Sequence, residues 1–503
     1  MLYIIIVFIT CICPACYSHG TIFSNKKETP MTTKKRKLRH SEYIENVKPT
    51  AKKLVDLLTR EYGYASVLCV DAEGKNYRTD KSGVSVSDEP LYCSRGFVLR
   101  VVVHGSVLEH SFSSLCEEDL PCICEHVRSL ASDMPEGNFV VSDEECTLCE
   151  SSEYEISPEE VGDEWILSRL GDARASAIES DARVFDALCR CSWRKYTKLF
   201  LSPKRDMTES IMWATATILT FTKSGDRIKD SYQGYSNLGG VEVISRMAEE
   251  GVPTSVAHAI ELLDSCAITP GEYDCICSPD VCGIIVHEAF GHGVEMDMFV
   301  RDRALAREYI GKRVASDLVS MHDSASAVEE AASYFFDDEG NLATDTKIIE
   351  RGILLGGISD AQTAAVLSLA PTGNGRRESF SHKAYTRMTN TYFEEGEDKL
   401  EDMIASIDYG FYLDEARCGM EDPKNWGIQC VVGIAREIKD GKLTGRVFSP
   451  AVLSGYVPDL LCSISMMSRE GELRGTGFCG KGHKEWVKVS DGGPAIKARI
   501  KLS

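Results

Sequence analysis

Ala51, Leu54, Val55, Leu58 and Tyr62 recur at helical spacing, and Gly63 follows where such a helix would stop. Beyond it the period shortens. Residues 66–70 and 97–103 read as strands, and His104-Gly105-Ser106 reads as the turn of a hairpin into VLEHSF. Residues 133–164 are acidic and predict a loop, residues 165–196 predict a helix, and IMWATATILTFT returns to alternation. Helical patterns surround His287 and cover residues 300–309. After about residue 345 short apolar runs such as GIQCVVGIAREIKDGKLTGRVFS are broken by Gly, Pro, Asn and Asp, a β-rich signature with many turns. No internal repeat is visible. The pattern predicts an α+β chain: a tail over 1–45, an N-terminal α/β domain over 46–245 and a β-rich C-terminal domain over 246–503 that carries the His287 helix.

Composition narrows this picture. The 503 residues are 43% hydrophobic and 26% charged, ordinary for a folded chain of two or more domains. A formal net charge of -21 disfavours nucleic acid, whose phosphates such a surface repels. The one basic cluster, Lys34 to Lys37 with Arg39, reads as a solvated tail. The first twenty residues, MLYIIIVFITCICPACYSHG, hold an apolar run too short to span a bilayer and lack a positive flank. They read either as a signal segment or as a start placed upstream of Met31, and we favour the second. Twenty scattered cysteines without a repeating frame point to a reducing compartment, hence the cytoplasm. The alternative is the secretory pathway, if residues 1–20 are a true signal. No membrane partner is expected. Cys122, Cys124, Cys146 and Cys149 are expected as free thiols, because the stretch between the pairs is acidic and irregular.

The candidate chemistry lies in VHEAFGHGVEMD. Two helix residues chelate one ion only from a shared face. At spacing four they are about 40° apart around the axis, and at the spacing of His287 and His292 about 140°. A π-type bulge, which adds a residue to one turn, would realign them, and Gly291 and Gly293 beside His292 loosen the helix. Glu288 stands where the H-E-x-x-H peptidases place the carboxylate that takes a proton from water. A catalytic zinc needs a third ligand. His322, His382, Cys418, Cys430, Cys462, Cys479 and His483 are candidates, with Glu295 and Asp297 near, and spacing does not choose among them. Cys479 stands out in GTGFCGKG, where glycines leave room for close approach; His483 is its rival.

Three segments in order resemble one family. VHEAFGHGVEMD is similar to the H-E-x-x-x-H helix of the TldD/PmbA metallopeptidases. LAPTGNGRRESFSHKAYTRMTNTYF resembles their Gly-Arg-Arg-x-Ser and Arg-Met-Thr-Asn-Thr block, and GELRGTGFCGKG their Cys-Gly-Lys motif. GFVLRVVVHGSVLEHSFSSL is similar to their N-terminal strand pair. The resemblance implies two domains and one zinc ion per chain on His287, His292 and Cys479, with Glu288 as general base. It implies the TldD-like, metal-holding branch, dimerisation with a PmbA/TldE-like homologue or with a second copy, and small or unfolded peptides as substrates. The family's Gly-Gly-Gln-Val-Asp segment is not visible after Tyr412, and His483 is an addition to its tail. Arg376, Arg377, Arg387 and Asn390 are candidate substrate contacts, since a guanidinium binds carboxylate bidentately, and His483 is a fifth. The expected function is therefore a zinc-dependent peptidase. The alternative is a non-catalytic, peptide-binding subunit with a structural metal site.

Overall fold

The computed structural model of the protein describes residues 34–88, 94–141, 143–481 and 485–503. The apolar N-terminal run and His483 lie outside the described residues. Residues 35–503 form one compact unit with an α+β architecture built on two large sheets. No helix among the described residues is long and apolar enough to cross a membrane.

The first helix, Glu42–Tyr62, starts earlier than the apolar pattern announced because Ser41 caps it, its hydroxyl accepting the N–H groups of Tyr43 and Ile44. Gly63 ends it at φ 82°, a conformation that favours glycine. Ile44, Ala51, Leu54 and Leu58 on one face are buried against the sheet. The basic cluster is not free. Arg36 and Lys37 pair as a short strand with Glu153 and Tyr154, and the Arg36 guanidinium grips both oxygens of Glu160.

The N-terminal sheet is antiparallel along its main path. Its order is Arg227–Asn237, Arg205–Ser224, Val184–Leu201, Ala65–Asp80, Ser94–Val103, Ser106–Phe112. The last two form the expected hairpin, with His104 at φ 49° and Gly105 at φ 76° in its turn. Two expectations fail here. The helix expected over 165–196 runs instead from Pro158 to Ser180, and Val184–Leu201 is a strand. Cys189, Cys191 and Trp193 are buried while Arg190 is exposed, so the true period there is two. Within the acidic segment, Cys146–Ser151 adds to the sheet parallel to Arg205–Ser224. Its apolar content was too low to announce a strand.

The second sheet runs from Gly271–Cys277 to Ser490–Leu502 and mixes parallel and antiparallel pairs. The helix Pro279–Val286 lies against the strands Tyr409–Asp422 and Ser490–Leu502, its face of Val281, Cys282, Ile285 and Val286 buried. The helical pattern over 300–309 resolves into two short pieces, Asp297–Val300 and the tighter turn Leu305–Tyr309. Trp426, fully buried, packs on Phe290 and Tyr309 and anchors the end of the Pro279–Val286 helix from below.

Buried charges tie the two sheets together. Arg100 pairs with Glu109 and Glu339, and Arg377 pairs with Glu109. Glu415 accepts the Ser231 hydroxyl and the Tyr232 N–H. Burial alone would push the Glu109 carboxyl up, but Arg100 and Arg377 outweigh it and hold it at about 2. A carboxylate depressed on folding stabilises above its unfolded pKa, and that stability is lost as pH falls through the folded value. In urea titrations the stability gap between wild type and Glu109→Gln is therefore expected to be full above pH 4.5 and to close toward pH 2. A gap independent of pH over that window would show that Glu109 carries no such charge coupling.

Candidate metal centre

Ser278 caps the Pro279–Val286 helix through the Val281 N–H, and the helix then continues into a π turn, His287–Gly291. The His292 N–H bonds the His287 carbonyl, the i to i+5 hydrogen bond that defines such a turn. One extra residue per turn brings the two imidazoles onto one side, with ring centroids 5.1 Å apart at 90°. The glycines serve differently than their dihedral freedom suggests. Gly291 is helical, at φ -60° and ψ -58°. Its missing side chain makes room for the Met388 sulfur instead. A side chain on Gly293 would press to 2.9 Å of a Glu421 carboxylate oxygen.

Cys479 arrives from the strand Phe478–Lys481, paired with Glu485–Lys488 as a two-stranded ribbon. Its sulfur lies 3.4 Å from His292 Nε2. The donor atoms of His287, His292 and Cys479 all fall within 4.8 Å of one another, the one such cluster of three or more possible ligands among the described residues. Arg387 holds this ribbon in place from behind. Fully buried, it donates to the Cys479 carbonyl on one strand and the Glu485 carbonyl on the other, each at 2.6 Å.

The surroundings fit a cation. Burial would raise the Cys479 thiol, yet His292 and His287 hold it well below its ordinary value. Burial would equally lower His292, yet Cys479 and Glu295 raise it well above. Both shifts favour charge of opposite sign on the thiol and the imidazoles, and a metal would take the place of the protons there. His287 Nδ1 is buried with no hydrogen-bond partner among the described residues. His292 Nδ1 lies 3.2 Å from Glu295, which leaves Nε2 to face Cys479. This is the carboxylate–imidazole support that ligating histidines use. Lys481, 3.1 Å from Glu295 and 2.7 Å from Asp297, neutralises the acids below. Two nitrogen donors and one thiolate suit zinc, and three protein ligands leave a position open.

The cluster opens on a cavity of about 670 Å³ lined by His287, Glu288, His292, Glu421, Cys479 and Lys481 among others. Burial above all pushes the Glu421 carboxyl well above the carboxylate range, and neither oxygen has a hydrogen-bond partner among the described residues.

The other candidates are spent elsewhere. His322 uses both ring nitrogens on Asp345 and Glu394, and His382 bonds Ser379. Of the residues expected at substrate, none of Arg376, Arg377, Arg387 and Asn390 lines the metal cavity. Arg377 is taken by Glu109 and the His382 carbonyl. Asn390, fully buried, donates to the Ser324 carbonyl and the Ser333 hydroxyl. Arg376 faces a different cavity. Sequence reasoning missed Glu421 and the supporting roles of Glu295 and Lys481. Glu295, three residues after His292, was findable from the need of a ligating histidine for a second partner. Cys122, Cys124, Cys146 and Cys149 are free thiols.

Residues 270–500 match the family model of the PmbA/TldA metallopeptidase C-terminal domain. A metalloprotease of Methanothermobacter thermautotrophicus is 29% identical over 302 residues, 60% of this chain and 65% of that protein. A zinc metalloprotease TldD homolog of Saccharolobus solfataricus is 32% identical over 237 residues, 46% of this chain and 51% of that protein. The chain thus spans about half to two thirds of the length of these relatives. Among solved structures, TldE of Thermococcus kodakarensis superposes with a TM-score of 0.72 at 17% identity, covering 90% of this chain and 99% of that one. A Thermotoga maritima protein named as a modulator of a DNA gyrase gives 0.76 at 16%, covering 92% and 100%. At such identities the likeness is one of fold.

Proposed function

Because the chain belongs to the TldD/PmbA metallopeptidase family, we propose that it is a zinc-dependent peptidase that hydrolyses small or unfolded peptides. The observation that carries this reading is the convergence of His287, His292 and Cys479 on the wall of a cavity that Glu288 also lines.

His287 Nδ1 or Nε2, His292 Nε2 and Cys479 Sγ would hold one ion. Bound there, zinc supplies a Lewis acid that acidifies water and polarises a peptide carbonyl. The remaining work falls to the chain. Glu288, adjacent to the first ligand and half-buried at the cavity wall, accepts the proton of the attacking water and returns it to the leaving amine. Glu295 fixes the ring of His292, and Arg387 fixes the backbone that presents Cys479. A cavity of about 670 Å³ can take a short peptide segment and has no room for a folded protein. The domain division at residue 245, a dimer with a TldE-like homologue or with a second copy, and a cytoplasmic site of action belong to the same reading; the fold likeness to TldE and the free cysteines support the last two. The absence of an added function for the metal-adjacent Glu288 would instead suit a structural site, and its place on an open cavity favours catalysis.

The test uses purified chain with a quenched fluorescent unstructured peptide. Cleavage should stop on treatment with a chelator and return on addition of zinc, while a tightly folded protein carrying the same sequence stays intact. Cleavage that survives complete metal removal would sink the proposal.

A further inference from the structure

The ribbon that carries Cys479 has a second face. Side chains alternate along a strand, so Phe478 and its cross-strand partner Lys488 point away from Cys479. They border a separate, smaller cavity of about 80 Å³ between the two sheets, closed by Trp213, Tyr334 and Arg376. Lys488 is 5% exposed. Its ammonium sits 4.6 Å from the Trp213 ring centre and 4.7 Å from that of Phe478. It has neither a hydrogen bond nor an ion pair among the described residues. Glu330 raises its charge affinity from a distance without pairing with it. Arg376 donates to the Met388 carbonyl and stacks over Tyr334, and it has no carboxylate partner among the described residues.

Two other cations of this wall are balanced by acids, Lys198 by Glu209 and Asp338 and Arg377 by Glu109, and Arg194 lies over the Tyr196 ring. Lys488, buried, and Arg376, half-buried, face one cavity without a carboxylate partner among the described residues, and a buried cation in such a place is costly unless an anion joins it. The acids Asp337, Asp338 and Glu378 line the same space and oppose a doubly charged anion such as phosphate. Leu68, Val70 and Phe380 offer an apolar surface to an organic body.

We propose that this cavity binds a small monocarboxylate, gripped by the Lys488 ammonium and the Arg376 guanidinium over the rings of Trp213 and Phe478. The carboxylate could belong to a free organic or amino acid or to the C-terminus of a peptide; both present the same group. Consistent with this, burial lowers the Lys488 amine to about 7, so that without an anion it is readily deprotonated. The site stands independently of the peptidase reading, because it shares no residue with the metal ligands.

The test is protection of Lys488 from reductive methylation at pH 7 on the full, zinc-loaded chain, read by peptide mass mapping. Propionate should slow labelling of Lys488 saturably, and its neutral isostere propionamide should not. An acetylated tripeptide acid that protects at lower concentration than propionate assigns the carboxylate to a peptide C-terminus; the reverse order assigns it to a free acid. Quenching of tryptophan fluorescence by propionate should follow the same curve and weaken about tenfold or more in Lys488→Met. Absence of saturable protection in the wild type, equal protection by propionamide, or stronger protection by inorganic phosphate overturns the proposal, and none of these readouts depends on whether the variant folds.

Discussion

Cys479→Ala is expected to leave the purified chain without zinc. Of the three donors only the thiolate carries negative charge, and Cys479 is the largest of the groups that raise His287 and His292 against the effect of burial, ahead of Asp491 and Glu295. Groups that merely support a metal ligand already cost about 10–100-fold in affinity when removed; loss of the ligand itself should exceed that. Elemental analysis after dialysis should find a zinc-to-chain ratio near one for wild type and near zero for the variant. Cys462→Ala, at an exposed cysteine outside the cluster, should behave like wild type and serves as the control. Folding should survive in the variant, because the ribbon is held by Arg387 through backbone carbonyls that alanine retains. A variant that keeps its full zinc complement would remove Cys479 from the ligand set and redirect attention to His483.

Glu288→Gln should produce the opposite pair of results, with zinc retained and peptide cleavage slowed by about 10²–10⁴-fold, the usual contribution of a positioned general base. The amide is nearly isosteric and keeps its hydrogen-bonding capacity but takes up no proton. Of the other acids lining the cavity, Glu421 is poorly suited to substitute, because burial above all pushes its carboxyl well above the ordinary range, and Glu295 is engaged by His292 and Lys481. The loss should fall on kcat rather than KM, since the proton moves in the transition state and the peptide is bound before it. Undiminished turnover in a zinc-loaded Glu288→Gln chain would favour the reading of a non-catalytic subunit with a structural ion.

Much of this centre was legible as local pattern. The spacing of His287 and His292 is incompatible with a regular helix that binds metal from one face, so the sequence demanded a π turn, and one is present. Local capping is similar: Gly63 marks the end of the first helix and His104-Gly105 the turn of the expected hairpin. The failures were local too. Residues 184–201 alternate with period two over their first half, but the interspersed Arg and Lys and the fully buried end at 197–201 blur that alternation into what reads as a helix. The arginine block was read as a set of candidate substrate contacts because a guanidinium binds carboxylate bidentately; here the Arg387 and Arg377 side chains are engaged by carbonyls and a carboxylate far along the chain.

What the sequence determined by itself is therefore what neighbouring residues decide among themselves: the period of each segment, its caps, and the turn that a spacing of five between two histidines requires. What only the tertiary structure decided is the partner of that turn. Cys479 and His292 are 187 residues apart, and no periodicity links positions so distant. Their meeting depends on the second sheet, which sets Ser490–Leu502 against the Pro279–Val286 helix, and on Arg387, which pins the ribbon across the gap. Long range also explains the glycine at 291. The sequence presented it as loosening the helix, but what requires it, the Met388 sulfur occupying the place of a side chain, belongs to packing between segments that the chain order keeps apart.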